Sequence, residues 1–301
     1  MQIINEIIDE ISNKNWKIKI IPIHYLNHLK NSLKETYKIM NNKEFVDFIK
    51  NRFNFNINTL FNLGKSIIII AIPSPQIFLT IRWNNSQRKL TIPPTYIDMR
   101  SGINKAEKVL SLILNKNGYN IKRVELPEKL LAVHSGLAEY GKNNICYVEG
   151  MGSFCRLVSF VTDIETIDCI WHDLNIMKYC KNCNVCTKRC PTGAIRKDRF
   201  LIDGDKCLTY FNERPGRFPE WINASSHHCL VGCLFCQDKC PQNKKFQNNY
   251  REYEFFSEKE VKSIINEKVF EHLDSNIKIK LIKLNMDVYY NVLSRNLKVL
   301  L

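Results

Sequence analysis

The chain has 301 residues, of which 45% are hydrophobic and 25% charged, with a formal net charge of +14 at pH 7. This composition predicts a globular protein with room for two domains, and it excludes collagen-like, coiled-coil and mostly disordered chains. The longest apolar run, residues 66–73, is too short to cross a bilayer. The N-terminus has no basic start or cleavage site typical of a signal peptide. We expect a soluble, cytoplasmic protein with no membrane partner.

The positive charge comes from 44 Lys and Arg residues set against 30 Asp and Glu residues. Such an excess is typical of proteins with an anionic partner, and tRNA or another nucleic acid is the first candidate. Lys, Ile and Asn are also the residues that an AT-rich genome encodes most readily. Because no long basic run concentrates the charge, both interpretations stay open.

In the first 170 residues, helical and strand patterns alternate along the chain. Apolar residues at helical spacing predict helices at residues 1–15, 25–50, 101–118 and 127–138. Alternating or continuous apolar runs predict strands at residues 16–23, 67–72, 78–83, 89–92, 145–148 and 157–162. The third and fourth of these strands form a predicted hairpin. The pattern indicates an N-terminal α/β domain at residues 1–170.

The character of the sequence changes after that point. Residues 171–250 are rich in Cys, Pro and Gly and have little room for regular structure, so we expect them to need an inorganic core. Residues 257–301 return to helical patterning, within a predicted C-terminal helical segment at residues 251–301. The predicted fold class is therefore α+β or α/β, with an N-terminal α/β domain, a cysteine-rich domain at residues 171–250 and C-terminal helices.

Nine of the twelve cysteines lie between Cys180 and Cys240. Disulfides are disfavoured in a reducing compartment, so a dense run of cysteines there indicates metal binding. The spacing Cys-x2-Cys-x2-Cys-x3-Cys-Pro over residues 180–191 is typical of 4Fe–4S ligation, in which the fourth cysteine binds a second cluster. A shortened copy at residues 233–241 lacks its first cysteine, which Cys207 can replace.

Eight thiolates then suffice for two 4Fe–4S clusters, so residues 171–250 are predicted to form a ferredoxin-like double 4Fe–4S domain. The predicted ligands of one cluster are Cys180, Cys183, Cys186 and Cys240. Those of the other are Cys190, Cys207, Cys233 and Cys236. Structural zinc, which also accepts four thiolates, is the alternative.

Cys229 completes a different pattern. Together with Cys233 and Cys236 it fits the CxxxCxxC spacing of radical S-adenosylmethionine enzymes. Those motifs normally lie early in a long barrel, whereas only about 65 residues follow here and show no repeated strand–helix pattern. We therefore expect Cys229 to be a packed thiol that binds no iron.

The sequence resembles the epoxyqueuosine reductase family, cobalamin-dependent iron–sulfur enzymes of tRNA modification that are related to the reductive dehalogenases. The matching stretches are residues 130–137, 140–143, 152–153, 162–163, 180–195, 205–208, 232–233, 236–237, 240–243 and 294–296. The resemblance implies a base-off cobalamin next to one cluster, with residues 1–170 as the cofactor-binding domain that holds this corrinoid. The chain agrees in having no Asp-x-His-x-x-Gly segment, the usual source of a histidine ligand to cobalt.

Two turns are candidates for contacts with such a corrinoid. Gly141, Lys142 and Asn143 in one turn, and Gly152 and Ser153 in the other, offer donors for its amides or phosphate. The glycines fit tight-turn geometry equally well.

The chain departs from the family at the expected catalytic Asp. That Asp should lie six residues before the Glu that matches Glu128, where this chain has Lys122, followed by Arg123. The proton donor is therefore missing or shifted to another carboxyl such as Glu125, and a cation here would suit an anionic substrate. Tyr96 is a second candidate acid, although a packed loop tyrosine explains it as well.

These observations predict an oxidoreductase that passes electrons through two 4Fe–4S clusters to a base-off cobalamin, which reduces an unidentified substrate. An external ferredoxin or flavodoxin is the expected electron donor. A tRNA or an anionic small molecule is a further candidate partner. The alternative is a ferredoxin-type electron-transfer protein that docks a partner and binds no cobalamin.

Overall fold

The computed structural model describes residues 2–57, 64–97, 99–167, 169–248 and 250–301. The chain divides into two compact units. The first unit comprises residues 1–73, 101–183 and 198–201, and the second comprises residues 74–100, 184–197 and 202–301. This division follows compactness in space, whereas the three-part division predicted above follows sequence character and stays a prediction.

The first unit contains a four-stranded sheet in the order β1-β2-β8-β5. Its strands are β1 (Lys17–Pro22), β2 (Ser66–Pro73), β5 (Ile121–Val124) and β8 (Cys155–Thr162), and every pair is antiparallel. The apolar run of β2 is buried almost throughout because β2 lies inside the sheet. In β1 the alternating lysines are exposed, as is common on an edge strand.

Helices and a small ribbon complete the first unit. The helices are Gln2–Asn13, Tyr25–Ile39, Lys43–Lys50, Met99–Lys116 and Glu128–His134. The ribbon pairs β6 (Glu139–Tyr140) with β7 (Cys146–Tyr147). The single helix predicted at 25–50 was wrong, because Met40 is extended and Asn42 caps a new helix by accepting a hydrogen bond from the Phe45 N–H at 3.0 Å.

The second unit contains a three-stranded sheet in the order β4-β3-β9. The strands are β3 (Gln76–Trp83), β4 (Ser86–Ile92) and β9 (Tyr250–Phe256). The predicted hairpin is confirmed, since β3 and β4 are antiparallel and joined through Asn84 and Asn85, both with positive φ as a tight hairpin turn requires. Strand β9 pairs in parallel with β3 and was not predicted.

The C-terminal helices are Glu258–Asn266, Ser275–Lys283 and Tyr290–Leu300. Ser257 and Glu260 form a reciprocal capping box at the start of the first of them. These helices and the three-stranded sheet share one apolar core, which also contains Leu230 and Val231 from the cysteine-rich region.

The cysteine-rich region has only short helices, of which Val185–Arg189 and Leu208–Asn212 are the α-helical ones described. The mixed α and β class is therefore confirmed. None of the helices in the described ranges is both long and apolar enough to span a bilayer.

Candidate metal centre

All four predicted ligands of one cluster, Cys190, Cys207, Cys233 and Cys236, belong to the second unit. They come from three separate segments of the chain. Cys190 follows the helix Val185–Arg189 and Cys207 precedes the helix Leu208–Asn212, whereas Cys233 and Cys236 share one loop. The structure therefore brings together residues that are up to 46 positions apart in sequence.

Side-chain and backbone bonds join these segments. The Arg189 guanidinium donates to the Phe235 carbonyl at 3.2 Å and to the Asp238 carboxylate at 2.8 Å. The Asp203 N–H donates to the Ala194 carbonyl at 2.8 Å. The bonds of Arg189 hold the helix that precedes Cys190 against the loop of Cys236. The bond between Asp203 and Ala194 joins the two ends of the loop that lies between Cys190 and Cys207.

The thiols are close enough to affect one another's ionisation. Burial raises the pKa of Cys207, Cys233 and Cys236, and the Cys190 thiol raises each of these three pKa values further. Cys207 acts in the same way on Cys233 and Cys236. Thiols must lose their protons to bind metal, so the positive charge of bound iron would replace those protons. This donor set of four mutually close thiols fits a 4Fe–4S cluster.

Proline shapes the backbone at two of the predicted ligands. Cys190 and Cys240 each precede a proline and are extended, with ψ of 112° and 127°. A residue before proline is disfavoured in the helical region of backbone conformation, so a helix cannot continue through either cysteine. Cys207 has the same extended backbone, with ψ of 129°, at the start of its helix.

The other predicted set is Cys180, Cys183, Cys186 and Cys240. Cys180 and Cys183 lie in a tight turn, in which the Cys183 N–H donates to the Cys180 carbonyl at 3.3 Å. The Lys142 ammonium donates to the Cys183 carbonyl at 2.9 Å, which anchors the turn within the first unit. In the second unit, the Cys186 thiol raises the pKa of Cys236.

Cys229 is buried, with 1% of its surface exposed. Its backbone forms a bridge with Thr91 at β4, and the neighbouring Leu230 N–H donates to the Thr91 carbonyl at 2.9 Å. Burial raises the pKa of the Cys229 thiol, as it does those of Cys233 and Cys236, and the Cys229 thiol raises the pKa of Cys233 further. These contacts support the prediction of a packed thiol.

Tyr96, a predicted candidate acid, lies in the second unit beside the loop that leads to Cys233. Its hydroxyl donates to the Glu213 carboxylate, and burial raises the pKa of Tyr96 well above its usual range. A Cβ on Gly232 would lie 2.5 Å from the Tyr96 hydroxyl, and Gly232 has a φ of 73°. Only glycine fits that position without a clash. Tyr96 thus packs on the cysteine loop, and its role as an acid stays a prediction.

The residues predicted to contact a corrinoid already make bonds inside the first unit. A Cβ on Gly141 would clash with the Asn143 side chain, and the Asn143 amide donates to the Tyr147 hydroxyl at 3.1 Å. Gly152 closes a turn with Val148 and has a φ of 58°, and Ser153 is buried. These contacts fit the tight-turn interpretation, and the corrinoid-binding role stays a prediction.

The structure also describes the segment where the family's catalytic Asp is expected. Lys122 and Arg123 lie on β5 with exposed side chains, and Glu125 is exposed as well. Glu128, the residue that matches the family's Glu, is partly buried, and its carboxylate accepts a hydrogen bond from the Ser159 N–H at 3.2 Å. Burial raises the pKa of Glu128 to about 7. Sequence reasoning missed this carboxyl because burial is a tertiary property.

None of the twelve cysteines, all of which are described, forms a disulfide. Within the described ranges, no three His, Cys, Asp or Glu side chains form a site for a single metal ion. A four-iron cluster is bound by one thiolate at each iron, so its ligands need not converge on one point.

Comparison with known proteins agrees with the predicted module. Residues 179–243 match the family described as a 4Fe–4S double cluster binding domain. An epoxyqueuosine reductase of Cyclobacterium marinum is 34% identical over 129 residues, which are 42% of this chain and 40% of that protein. Another, from Leadbetterella byssophila, is 30% identical over 152 residues, or 48% of each chain. The matches span less than half the length of these relatives.

The similarity to known proteins extends from the sequence to the fold. The structure of epoxyqueuosine reductase from Streptococcus thermophilus has a TM-score of 0.68 at 18% identity and covers 99% of this chain and 80% of that chain. A crystal structure of epoxyqueuosine reductase with a tRNA stem loop matches with the same TM-score and identity. The predicted resemblance and the double 4Fe–4S module are therefore confirmed: the chain is similar in sequence to epoxyqueuosine reductases and shares their fold.

We expect Cys183→Ser to remove one cluster and to leave about half of the iron in place, because only one of the two predicted sets contains Cys183. Iron content and visible absorbance after anaerobic reconstitution measure this. Cys229→Ala is the matched control and should retain all of the iron. Loss of all iron from Cys183→Ser would show instead that the two sites fold as one unit.

We expect Glu128 to make the free energy of unfolding depend on pH. Its pKa is raised from 4.5 to about 7 in the folded state, so the folded protein holds a proton that the unfolded chain releases. Stability should therefore fall as pH rises from about 4.5 to 7, by up to roughly 3 kcal/mol. Glu128→Gln should lose this component in denaturant titrations between pH 5 and 8.

Glu125→Gln is the control for that experiment, because it alters an exposed carboxyl three residues away. It should keep the pH dependence of the unmodified protein. Equal pH dependence in Glu128→Gln and the unmodified protein would contradict the assignment to Glu128.

Proposed function

We propose that the protein is an iron–sulfur reductase that passes single electrons through two 4Fe–4S clusters. The observation that carries this proposal is the mutual proximity of the thiols of Cys190, Cys207, Cys233 and Cys236. Three chain segments supply these thiols, and the spacing of the sequence assigns the other cluster to Cys180, Cys183, Cys186 and Cys240.

When bound, each cluster supplies a one-electron redox centre whose potential depends on hydrogen bonds and burial. The protein residues hold the iron and fix the surroundings of the clusters. Arg189 fixes the segments of Cys190 and Cys236 relative to each other. Tyr96 keeps its proton and fills the space above Gly232.

The two clusters need an acceptor for their electrons. Similarity to epoxyqueuosine reductases favours a base-off cobalamin as the group that receives electrons and reduces the substrate. The size of the first unit supports an acceptor of this kind, because a bare electron carrier needs no such domain. An external ferredoxin or flavodoxin is the proposed electron donor. The competing function is a ferredoxin-type carrier without cobalamin.

A tRNA is the proposed substrate, with an anionic small molecule as the alternative. One structural neighbour is an epoxyqueuosine reductase with a tRNA stem loop. In the second unit of this chain, two arginines lie over aromatic rings. The Arg214 guanidinium lies 4.6 Å from the centroid of the Tyr210 ring, and the Arg295 guanidinium lies 3.9 Å from that of the Phe218 ring. Trp221 is 51% exposed, and its ring packs edge-on against the Phe211 ring. Unpaired bases stack on such aromatic and guanidinium planes.

We expect the anaerobically reconstituted protein to contain about eight irons per chain, since each of two cubanes holds four. Added cobalamin should be retained after desalting at about one corrinoid per chain. Metal analysis and visible spectroscopy measure both quantities. Eight irons without corrinoid would support the electron carrier, whereas far fewer irons, or zinc in place of iron, would contradict the redox function altogether.

We expect tRNA binding to weaken steeply between about 50 and 200 mM salt, because phosphate contacts release counterions. Trp221→Ala should reduce affinity by about tenfold if a base stacks on the indole. Tyr250→Ala removes an exposed aromatic ring from β9 and serves as the matched control. Absent or salt-independent binding in a filter-binding assay would contradict the proposal of a tRNA substrate.

A further inference from the structure

The last helix, Tyr290–Leu300, makes bonds to the cysteine-rich region that hold two of its segments. Asn296 lies on this helix with 1% of its surface exposed. Its side-chain amide donates to the carbonyl of Asn212 at 2.9 Å and to the carbonyl of Leu230 at 2.9 Å. Asn212 is five residues after Cys207, and Leu230 is three residues before Cys233. One buried carboxamide therefore connects the segments of two predicted ligands.

Arg295 reinforces this connection from the same helix. Its guanidinium donates to the carbonyls of Phe211 at 2.8 Å, Arg214 at 2.8 Å and Gly216 at 2.6 Å. It also donates to the Asn296 side-chain oxygen at 2.9 Å, which leaves the amide group of Asn296 directed at the two carbonyls. The Arg295 guanidinium thus holds the end of the helix Leu208–Asn212, which follows Cys207, and orients the side chain of Asn296.

The network continues to the residue next to Cys233. The side chain of Asn212, which is fully buried, donates to the Gly232 carbonyl at 2.7 Å. Leu230 and Val231 pack in the apolar core of the second unit. The backbone on the N-terminal side of Cys233 is therefore fixed by hydrogen bonds and by packing.

We propose that Asn296 and Arg295 are positioning residues for the cluster bound by Cys190, Cys207, Cys233 and Cys236. This inference rests on the proposed function, because it assumes that iron binds there. Buried carbonyls left without donors cost free energy, so loss of these bonds would favour movement of the Cys207 and Cys233 segments. Since each thiolate must stay within bonding distance of its iron, such movement weakens the cluster.

The sharpest test is Asn296→Asp. The carboxylate keeps the shape of the side chain and the acceptor for Arg295, but it cannot donate to the carbonyls of Asn212 and Leu230. We expect about half of the iron to pass to an anaerobic chelator on the order of tenfold faster than from the unmodified protein. The electron paramagnetic resonance spectrum of one reduced cluster should change while that of the other stays the same.

Asn291→Ala is the matched control, because Asn291 lies on the same helix and is exposed. It should release iron at the rate of the unmodified protein. In a Cys183→Ser background, Asn296→Asp should accelerate release of all the remaining iron. If Asn296→Asp does not fold, as judged by circular dichroism, Arg295→Lys keeps the charge but loses the fork of donors and should give a smaller acceleration of the same phase.

Unchanged iron release from the folded variants, or equal acceleration of both clusters, would overturn this inference and leave the proposed function intact. Absence of iron from the reconstituted unmodified protein would overturn both. A selective change at one cluster that Asn291→Ala does not reproduce supports the positioning role.

Discussion

Side-chain donors that bind backbone carbonyls organise the cysteine-rich region. Its short helices cannot fix their own ends, because a helix of five residues has almost no internal hydrogen bonds. Arg189, the last residue of one of these helices, donates to the Phe235 carbonyl in the loop of Cys236. Arg295 and Asn296 donate to carbonyls at the end of the other. The positions of the cysteines follow from these contacts, and the proposed iron–sulfur chemistry depends on those positions.

The two units fix the cysteine segments by different means. In the first unit, Lys142 binds the carbonyl of Cys183 from a turn held by Asn143. In the second unit, the buried amide of Asn212 performs that task from within the cysteine-rich region, and Arg295 and Asn296 perform it from the last helix. The C-terminal helices therefore contribute to the predicted metal centre even though they contain no cysteine.

Several elements could be predicted because their pattern is local. The apolar run of β2 and the hairpin of β3 and β4 were both predicted, since a continuous run and a turn through Asn84 and Asn85 are local signals. Strand β9 was missed because its sequence, rich in Glu, Arg and Tyr, does not alternate clearly and becomes a strand by pairing with β3. Such non-local pairing is not visible in a short window of sequence.

The sequence by itself determined the chemistry of the cysteine module, because ligand type and spacing within each segment are local properties that the proline after Cys190 and Cys240 reinforces. Only the tertiary structure decided which distant thiols lie together, how far burial raises the pKa of Glu128, and that Asn296 joins the segments of Cys207 and Cys233. The reason is physical: desolvation and hydrogen bonds between distant segments depend on three-dimensional packing, which residue spacing alone does not specify.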